Sequence, residues 1–294
     1  MQNSRIGLEV VGKGRITAQV VEDSINKKGV RLTTLQLTYP RFILAELNTH
    51  RVFSRSTSSS RAIPTSKMID QVYHSPAMPV HWGRNQKGMQ AKEELDEFER
   101  RQAVSCWLEA SKRATEHARL MSGTGVHKQV VNRILEPFLF AKTVITGTDW
   151  DNFFELRYHE DSDPNFFELA KVIHIARDKS VPKLLKPGEW HVPYITDSER
   201  ISLTLLEQVK TSSARCCRVS YLKHDGSFST LKEDFELHDR LVGAVPRHSS
   251  PCEHQATPKG LFTFRKYSGN FDSSWVQYRK LIERRKVDSF LGWK

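Results

Sequence analysis

The chain has 294 residues and a formal net charge of +11, and 38% of its residues are hydrophobic, including 15 Phe and 6 Trp. This apolar content is enough for a packed core, whereas no apolar run approaches the roughly 20 residues that a membrane helix needs. The first residues lack the apolar stretch of a secretory signal, so we expect a cytoplasmic protein. The positive charge indicates anionic partners, either nucleic acid or phosphorylated small molecules.

The first part of the chain shows strand and helix patterns in turn. Residues 31–38 alternate apolar and polar side chains and are rich in β-formers, so they predict a strand, which Pro40 ends. A short helix is predicted for residues 42–47. Apolar residues at steps of three or four then predict a charged helix over residues 91–121, with Gly123 as its stop.

The middle of the chain continues this alternation. A helix from about Val126 is predicted to break or kink at Pro137, and a strand to follow over residues 138–145. Asp149 is placed to cap the next helix. Asp163 is predicted to open another, because the proline that follows it suits a first helical turn.

The last part contains a linker pattern, two helical stretches and a tail. Residues 178–200 are rich in Pro and Lys and predict a linker, after which residues 199–218 read as helix. A capping box that starts at Thr230 predicts a helix ending near Gly243. The tail, 257–294, is basic and aromatic, and we expect it to lie outside the compact pattern.

Residues 49–61 combine arginines, a histidine and several hydroxyl side chains. Small hydroxyl residues let backbone amides approach an oxyanion, and arginine binds phosphate through its planar fork. A solvated loop or flexible linker has the same composition. Strand and helix patterns lead directly into the cluster, which favours a phosphate site placed against the core.

Three further clusters carry polar groups at regular spacing. They are residues 132–137, which include Arg133, residues 152–157, which include Arg157, and the turn 248–254. A helical arginine is most often a surface charge, so each of these clusters is a weak signal by itself.

The cysteines admit a zinc site as an alternative. Cys216, Cys217, Cys252 and His254 supply four donors of the right type, but the chain has no CxxC pair. Adjacent cysteines in a helix also point about 100° apart. The same spacing gives no disulfide framework.

Together, these clusters resemble the flavin-dependent thymidylate synthases. That family carries Arg-His-Arg followed by Ser, Asn, Ser and Arg, which residues 49–61 match with departures. It also has an arginine shortly before a proline, as in residues 133–137, and an asparagine five residues before an arginine, as in residues 152–157. Its Arg-Val-Ser helix end and His-x-Thr-Pro-x-Glu-His turn resemble residues 218–220 and 248–254.

In the family, the last two motifs precede the Arg-His-Arg signature, whereas here they follow the residues that match it, 49–61. Circular permutation is the simplest explanation, because chain termini usually lie at the surface and often close together. The resemblance implies an α+β fold, a β-sheet with flanking helices in permuted order, forming a single domain over residues 1–294. The match covers residues 30–64, 124–177 and 212–256.

The resemblance further implies transfer and reduction of a one-carbon unit from methylene-tetrahydrofolate to carbon-5 of dUMP, giving dTMP. FAD is then the cofactor and NADPH the reductant, and all these ligands are anionic. Family members are homotetramers whose sites draw residues from several subunits. No metal and no membrane partner are expected, and nucleic acid is not expected either.

Site residues follow from the resemblance position by position. Arg157 would bind the pyrimidine edge and stabilise charge as carbon-5 becomes nucleophilic, which makes it the catalytic residue. The nucleotide would contact Glu46, Ser59, Ser60, Arg61, Arg133 and Arg157, and FAD would contact His50, Arg51, Asn152, Ser220, His248 and Ser250.

Several positions depart from the family pattern. Thr49 replaces an arginine, Ser56 replaces an asparagine, and Thr57 and Ala62 replace residues that are often Glu and aromatic. Glu46 stands where Gln is frequent, and its carboxylate would repel phosphate or accept a hydrogen bond from a different base. Hydroxymethylation of dUMP or dCMP is therefore an alternative reaction.

Two other classes of protein compete with this interpretation. A basic nucleic-acid-binding protein would use the net positive charge and the aromatic residues, but the sequence lacks a contiguous basic tail and an RNA-binding aromatic motif. A zinc-dependent enzyme would use the cysteines and His254.

Overall fold

The computed structural model describes residues 7–219, 222–223, 226–260 and 267–284. At its centre lies a sheet with the strand order β1-β2-β3-β5-β4, in which all neighbours are antiparallel, and β6 pairs with β2 in parallel. The strands are β1 (Val10–Val11), β2 (Thr17–Asn26), β3 (Arg31–Pro40), β4 (Ser54–Thr57), β5 (Phe140–Gly147) and β6 (Lys183–Leu185). The predicted mixed fold, a sheet with flanking helices, is confirmed.

Helices surround this sheet. They are α1 (Leu44–Leu47), α2 (Thr65–His74), α3 (Glu97–Gly123), α4 (Lys128–Val131), α5 (Asp151–Arg157), α6 (Pro164–Asp178), α7 (Asp197–Ser202), α8 (Leu205–Arg218), α9 (Leu231–Gly243) and α10 (Tyr278–Glu283). None of the described helices combines the length and apolarity that crossing a membrane requires.

Helix α6 covers one face of the sheet. The Asp163 side chain accepts hydrogen bonds from the backbone of Asn165 and Phe166 and so caps the helix, as predicted. Fully buried side chains on its inner face pack against β2 and β3; they are Phe166, Leu169, Ala170 and Ile173. This packing holds the start of α6 beside the end of α5, where Arg157 lies.

The opposite face is covered by residues that were predicted to be a linker. In residues 178–200, β6 extends the sheet, and Trp190, Val192, Tyr194 and Ile195 are buried. The linker prediction is therefore wrong. The prolines and lysines lie among large apolar residues that the composition average concealed.

The tail prediction is also wrong for the part of the tail that the structure describes. Strand β7 (Ala256–Pro258) pairs with β8 (Trp275–Gln277), and α10 follows directly. Trp275, Val276 and Leu281 are buried in the core. The chain therefore returns to the sheet after the turn 248–254 and holds that turn in place.

Other helix boundaries agree with those predicted from the sequence or differ from them because of local geometry. Gly123 ends α3 and Gly243 ends α9, as predicted, while α3 begins only at Glu97, behind the Asp96 cap. Asp149 does not cap α5, whose N-cap is Trp150. Helix α4 is short and continues as a tighter 3-10 turn over Asn132–Phe138, which accommodates Pro137.

Candidate functional site

Three groups fix the guanidinium of Arg157 at the end of α5. Its Nε donates to His50 Nε2 at 3.0 Å, and its Nη1 donates to Glu46 Oε2 at 3.0 Å. Its central carbon lies 4.7 Å from the centre of the Phe166 ring, in a cation–π contact. The sheet thus brings together residues from α1, the following turn, α5 and α6. Glu46, His50 and Arg157, all predicted site residues, meet in one cluster.

His50 is buried and surrounded by aromatic rings. Its ring centre lies 5.1 Å from that of Phe153 and 6.0 Å from that of Phe166. Burial, together with the charges of Arg157 and Arg55, lowers the pKa of His50 to about 4. The imidazole is therefore neutral at pH 7, and because its Nε2 accepts from Arg157, its proton is on Nδ1.

Glu46 is half-buried beside Arg157. Burial raises its pKa, and the nearby Asp163 carboxylate raises it too, against the lowering effect of Arg157. One carboxylate oxygen, Oε2, accepts from the guanidinium, whereas Oε1 has no hydrogen-bond partner among the described residues. The pair therefore has unused hydrogen-bonding groups.

A cavity of about 1100 Å³ opens beside this pair, and both Glu46 and Arg157 line it. Its other walls are formed by residues between 79 and 94 and by residues 159–171. A cavity of this size accommodates a nucleotide-sized molecule. None of the residues between 79 and 94 was a predicted site residue, so the part that this segment plays in the cavity was missed.

A second cluster of predicted residues lies at the other end of β4. Ser60 Oγ donates to Glu136 Oε1 at 2.5 Å, and Arg133 Nη1 lies 3.1 and 3.3 Å from the two carboxylate oxygens. Arg41 Nη2 lies 3.3 Å from Oε1. The Asn132 side chain donates to the backbone oxygen of Ser60 and fixes this turn. The Glu136 carboxylate is thus surrounded by hydrogen-bond donors that would also suit another oxyanion.

The neighbouring predicted phosphate ligands, Ser59 and Arg61, are exposed in the same turn. Ser59 Oγ accepts from the backbone amide of Arg61 at 3.3 Å. Ser60 and Arg133 are thus brought together by the structure, with Ser59 and Arg61 adjacent. No contact among the described residues joins this cluster to Arg157.

The turn 248–254 lies against β4. His254 is fully buried, and its Nε2 lies 2.9 Å from Ser56 Oγ, while its Nδ1 lies 2.8 Å from Thr146 Oγ1. Burial lowers the pKa of His254 to about 3, so the ring is neutral. Two motifs that are almost 200 residues apart in sequence therefore meet directly.

The hydrogen bonds continue from His254 across the sheet. Thr146 Oγ1 lies 2.7 Å from Thr34 Oγ1, which lies 2.7 Å from His191 Nε2. His191 Nδ1 is 2.8 Å from Ser24 Oγ. Burial also lowers the pKa of His191 far below its ordinary value. This buried chain consists of neutral groups that alternate as donors and acceptors, which ties four strands to the covering loops.

The remaining predicted flavin residues are on the surface. Arg51, Asn152, His248 and Ser250 are exposed, and their side chains make no hydrogen bond to other described residues. Phe53 packs on Trp150 with ring centres 4.4 Å apart, which brings the Arg51 loop beside the start of α5. Ser220 lies outside the described residues.

Cys216 and Cys252 have the properties of buried structural thiols. Burial raises the pKa of Cys216 well above its ordinary value and that of Cys252 to about 12. Both ring nitrogens of His254 are engaged with hydroxyl groups. Over residues 7–219, 222–223, 226–260 and 267–284, no three or more His, Cys, Asp or Glu side chains are grouped as metal ligands would be.

No protein-family model matches this chain, and no curated protein matches it. Solved structures are similar to it. A crystal structure of a UMP/dUMP methylase PolB from Streptomyces cacaoi, bound with 5-Br UMP, is 15% identical, with a TM-score of 0.47, and the match covers 58% of this chain and 92% of that one. The same enzyme bound with 5-Br dUMP is 14% identical, with a TM-score of 0.47 and coverage of 58% and 93%.

Two residues of the second cluster were not predicted. Glu136 lies three residues after Arg133, a spacing that places both on one side of a helical turn. That spacing was a usable signal. Arg41 arrives from the end of β3, almost a hundred residues earlier, and nothing local indicates its place.

Proposed function

We propose that the chain modifies a pyrimidine deoxynucleotide at carbon-5, using FAD, NADPH and methylene-tetrahydrofolate, as the flavin-dependent thymidylate synthases do. The observation that carries this proposal is the pairing of Glu46 with Arg157, which His50 holds in place, on the wall of a nucleotide-sized cavity. Conversion of dUMP to dTMP is the reaction expected from the sequence motifs. Hydroxymethylation on the same scaffold is the alternative.

Arg157 is suited to stabilise negative charge on a pyrimidine. Its guanidinium is held in one orientation by Glu46, His50 and the Phe166 ring. A donor that is already oriented needs no reorganisation when charge develops, which is the usual source of electrostatic catalysis. Neutral His50 supports this role, because it accepts from Nε without adding a second positive charge.

The cluster around Glu136 is suited to the nucleotide phosphate. Ser60, Arg133 and Arg41 already surround a carboxylate, and the exposed Ser59 and Arg61 add donors next to them. A phosphate that replaces the carboxylate would keep the same donors. The nucleotide-binding role proposed for these residues depends on this replacement of the carboxylate by phosphate.

The two clusters lie at opposite ends of β4, whose four residues span roughly 13 Å at about 3.3 Å per residue. Arg157 sits beyond one end and Arg133 beyond the other. This separation supports a site that combines the base-binding cluster of one copy with the phosphate-binding cluster of another. We propose an oligomer on this basis, and the family resemblance makes it a homotetramer.

The surface residues fit a flavin dinucleotide in chemical type. Arg51 offers a cation for phosphate, and Asn152, His248 and Ser250 offer hydrogen-bonding groups that no described residue occupies. When bound, the flavin would supply the hydride and one-carbon transfer chemistry. Folate and NADPH are the proposed co-substrates.

The contact between His254 and Ser56 supports a circularly permuted order. The turn that resembles the N-terminal family motif follows the signature in sequence, yet it packs on β4 in the same chain. A site requires the motifs to meet in space and does not depend on their order along the chain. We propose permutation as the relation to the family.

Turnover by the purified protein tests the proposal. We expect a yellow protein that converts dUMP or dCMP in the presence of NADPH and methylene-tetrahydrofolate, and mass spectrometry separates a methyl from a hydroxymethyl product. Arg157→Ala should abolish turnover while flavin absorbance remains. Arg113→Ala, which removes an exposed arginine from α3, is the matched control. A colourless protein, or full turnover by the Arg157 variant, would contradict the proposal.

A further inference from the structure

Glu46 presents an acceptor to the cavity. An ionised carboxylate only accepts hydrogen bonds. Oε2 accepts from Arg157 Nη1, which leaves Oε1 available, since no described residue donates to it. The side chain is 41% exposed and lines the cavity, so a ligand can reach it.

Arg157 presents donors beside that acceptor. Its Nε is used by His50 and one Nη1 hydrogen by Glu46. Nη2 makes no hydrogen bond to a described residue, so its two hydrogens and one further Nη1 hydrogen remain available. The ion pair therefore offers a ligand one free acceptor beside free donors.

The polar edges of the two pyrimidine bases differ in how they match these acceptor and donor groups. Cytosine presents its amino group, then N3, then O2, which is the order donor, acceptor, acceptor. Uracil presents O4, N3–H and O2, which is acceptor, donor, acceptor. Cytosine can donate its amino group to the carboxylate while N3 and O2 both accept from the guanidinium, which gives three matched contacts. Uracil can donate only N3–H to the carboxylate and accept through one neighbouring carbonyl oxygen, which gives two.

We propose that the Glu46–Arg157 pair selects cytosine, so that dCMP is the preferred nucleotide of this site. This inference rests on the proposed function and narrows its substrate. Because carboxylate and guanidinium form charge-assisted hydrogen bonds, the pair strengthens a matched contact with the base and makes a mismatched contact more unfavourable. A site built to bind one set of polar groups discriminates strongly against the other.

Calorimetric binding of dCMP and dUMP to the full-length protein, copurified with its flavin, tests this inference. We expect dCMP to bind at least about tenfold more tightly, since one well-matched pair discriminates bases by roughly that factor or more. Glu46→Gln replaces the charged acceptor with an amide that both donates and accepts, so the preference should shift at least tenfold towards dUMP. Glu160→Gln, which removes another carboxylate from the same cavity wall, should keep the wild-type ratio.

The outcomes separate the inference from the proposed function. Equal or tighter binding of dUMP by the wild-type protein overturns the inference, and this arm does not depend on how any variant folds. An unchanged ratio in a folded Glu46→Gln protein also overturns it, while nucleotide binding itself would stand. If neither nucleotide binds, the proposed function fails together with the inference.

Discussion

Replacing His254 with alanine should destabilise the fold strongly. The substitution removes both hydrogen bonds of a fully buried ring. Ser56 Oγ then has no other partner among the described residues, which costs about 1–3 kcal/mol, whereas Thr146 keeps Thr34 and costs about 1 kcal/mol. A cavity of roughly 60 Å³ at about 24 cal/mol per Å³ adds about 1.5 kcal/mol.

We therefore expect the free energy of unfolding to fall by about 3–6 kcal/mol. At about 2–4 °C per kcal/mol, the melting temperature should fall by roughly 6–24 °C. Thermal unfolding followed by circular dichroism measures this shift. A melting temperature within about 1 °C of the wild type would refute the buried hydrogen-bond chain as a source of stability.

His248→Ala is the matched control, because it removes an exposed histidine from the same turn. With flavin removed from both proteins, its melting temperature should stay within about 2 °C of the wild type, as surface substitutions usually change stability by less than about 0.5 kcal/mol. If His248 contacts flavin as proposed, this variant should lose flavin absorbance while it remains folded. The two histidines thus separate a structural role from a binding role.

Three other results are expected. Glu136→Gln removes a competing negative charge between Arg41 and Arg133, so phosphate and nucleotide should bind several-fold more tightly by calorimetry; weaker binding would contradict the oxyanion site. Arg133→Ala should weaken a monophosphate at least about tenfold and leave its nucleoside unchanged, and equal losses would exclude phosphate recognition. Because the pKa of His254 is lowered to about 3 and that of His50 to about 4, only the unfolded chain takes up these protons just below pH 6.5. The free energy of unfolding from urea titrations should therefore fall from pH 6.5 towards 4, by about 1.4 kcal/mol per pH unit for each ring, and a flat profile would show that both rings protonate in the fold.

Local patterns in the sequence were reliable where neighbouring residues decide the structure. The alternation over residues 31–38 predicted β3, and the Asp163 cap and the Thr230 capping box predicted the starts of α6 and α9. Capping and periodicity depend on residues three or four positions apart, so they can be read without knowing the fold. The mixed fold with a sheet and flanking helices was expected from the family resemblance.

Composition over longer windows was less reliable. Residues 178–200 look like a linker because lysines and prolines are frequent, yet Trp190 and His191 are buried. Such a segment is buried when the other helices and strands leave one face of the sheet uncovered. Its own composition does not show whether they do. The part of the tail that the structure describes was mispredicted for the same reason.

The sequence by itself, through its resemblance to a known family, selected the residues proposed to carry the chemistry, among them Arg157, Ser60 and Arg133. Only the tertiary structure decided what surrounds them. Glu46 reaches Arg157 across 111 residues, and Arg41 joins Glu136 across almost as many. Such contacts follow from how strands pair in the sheet, a long-range choice that local periodicity does not encode, so the electrostatic partners of each site residue could not be read from its neighbours in the chain.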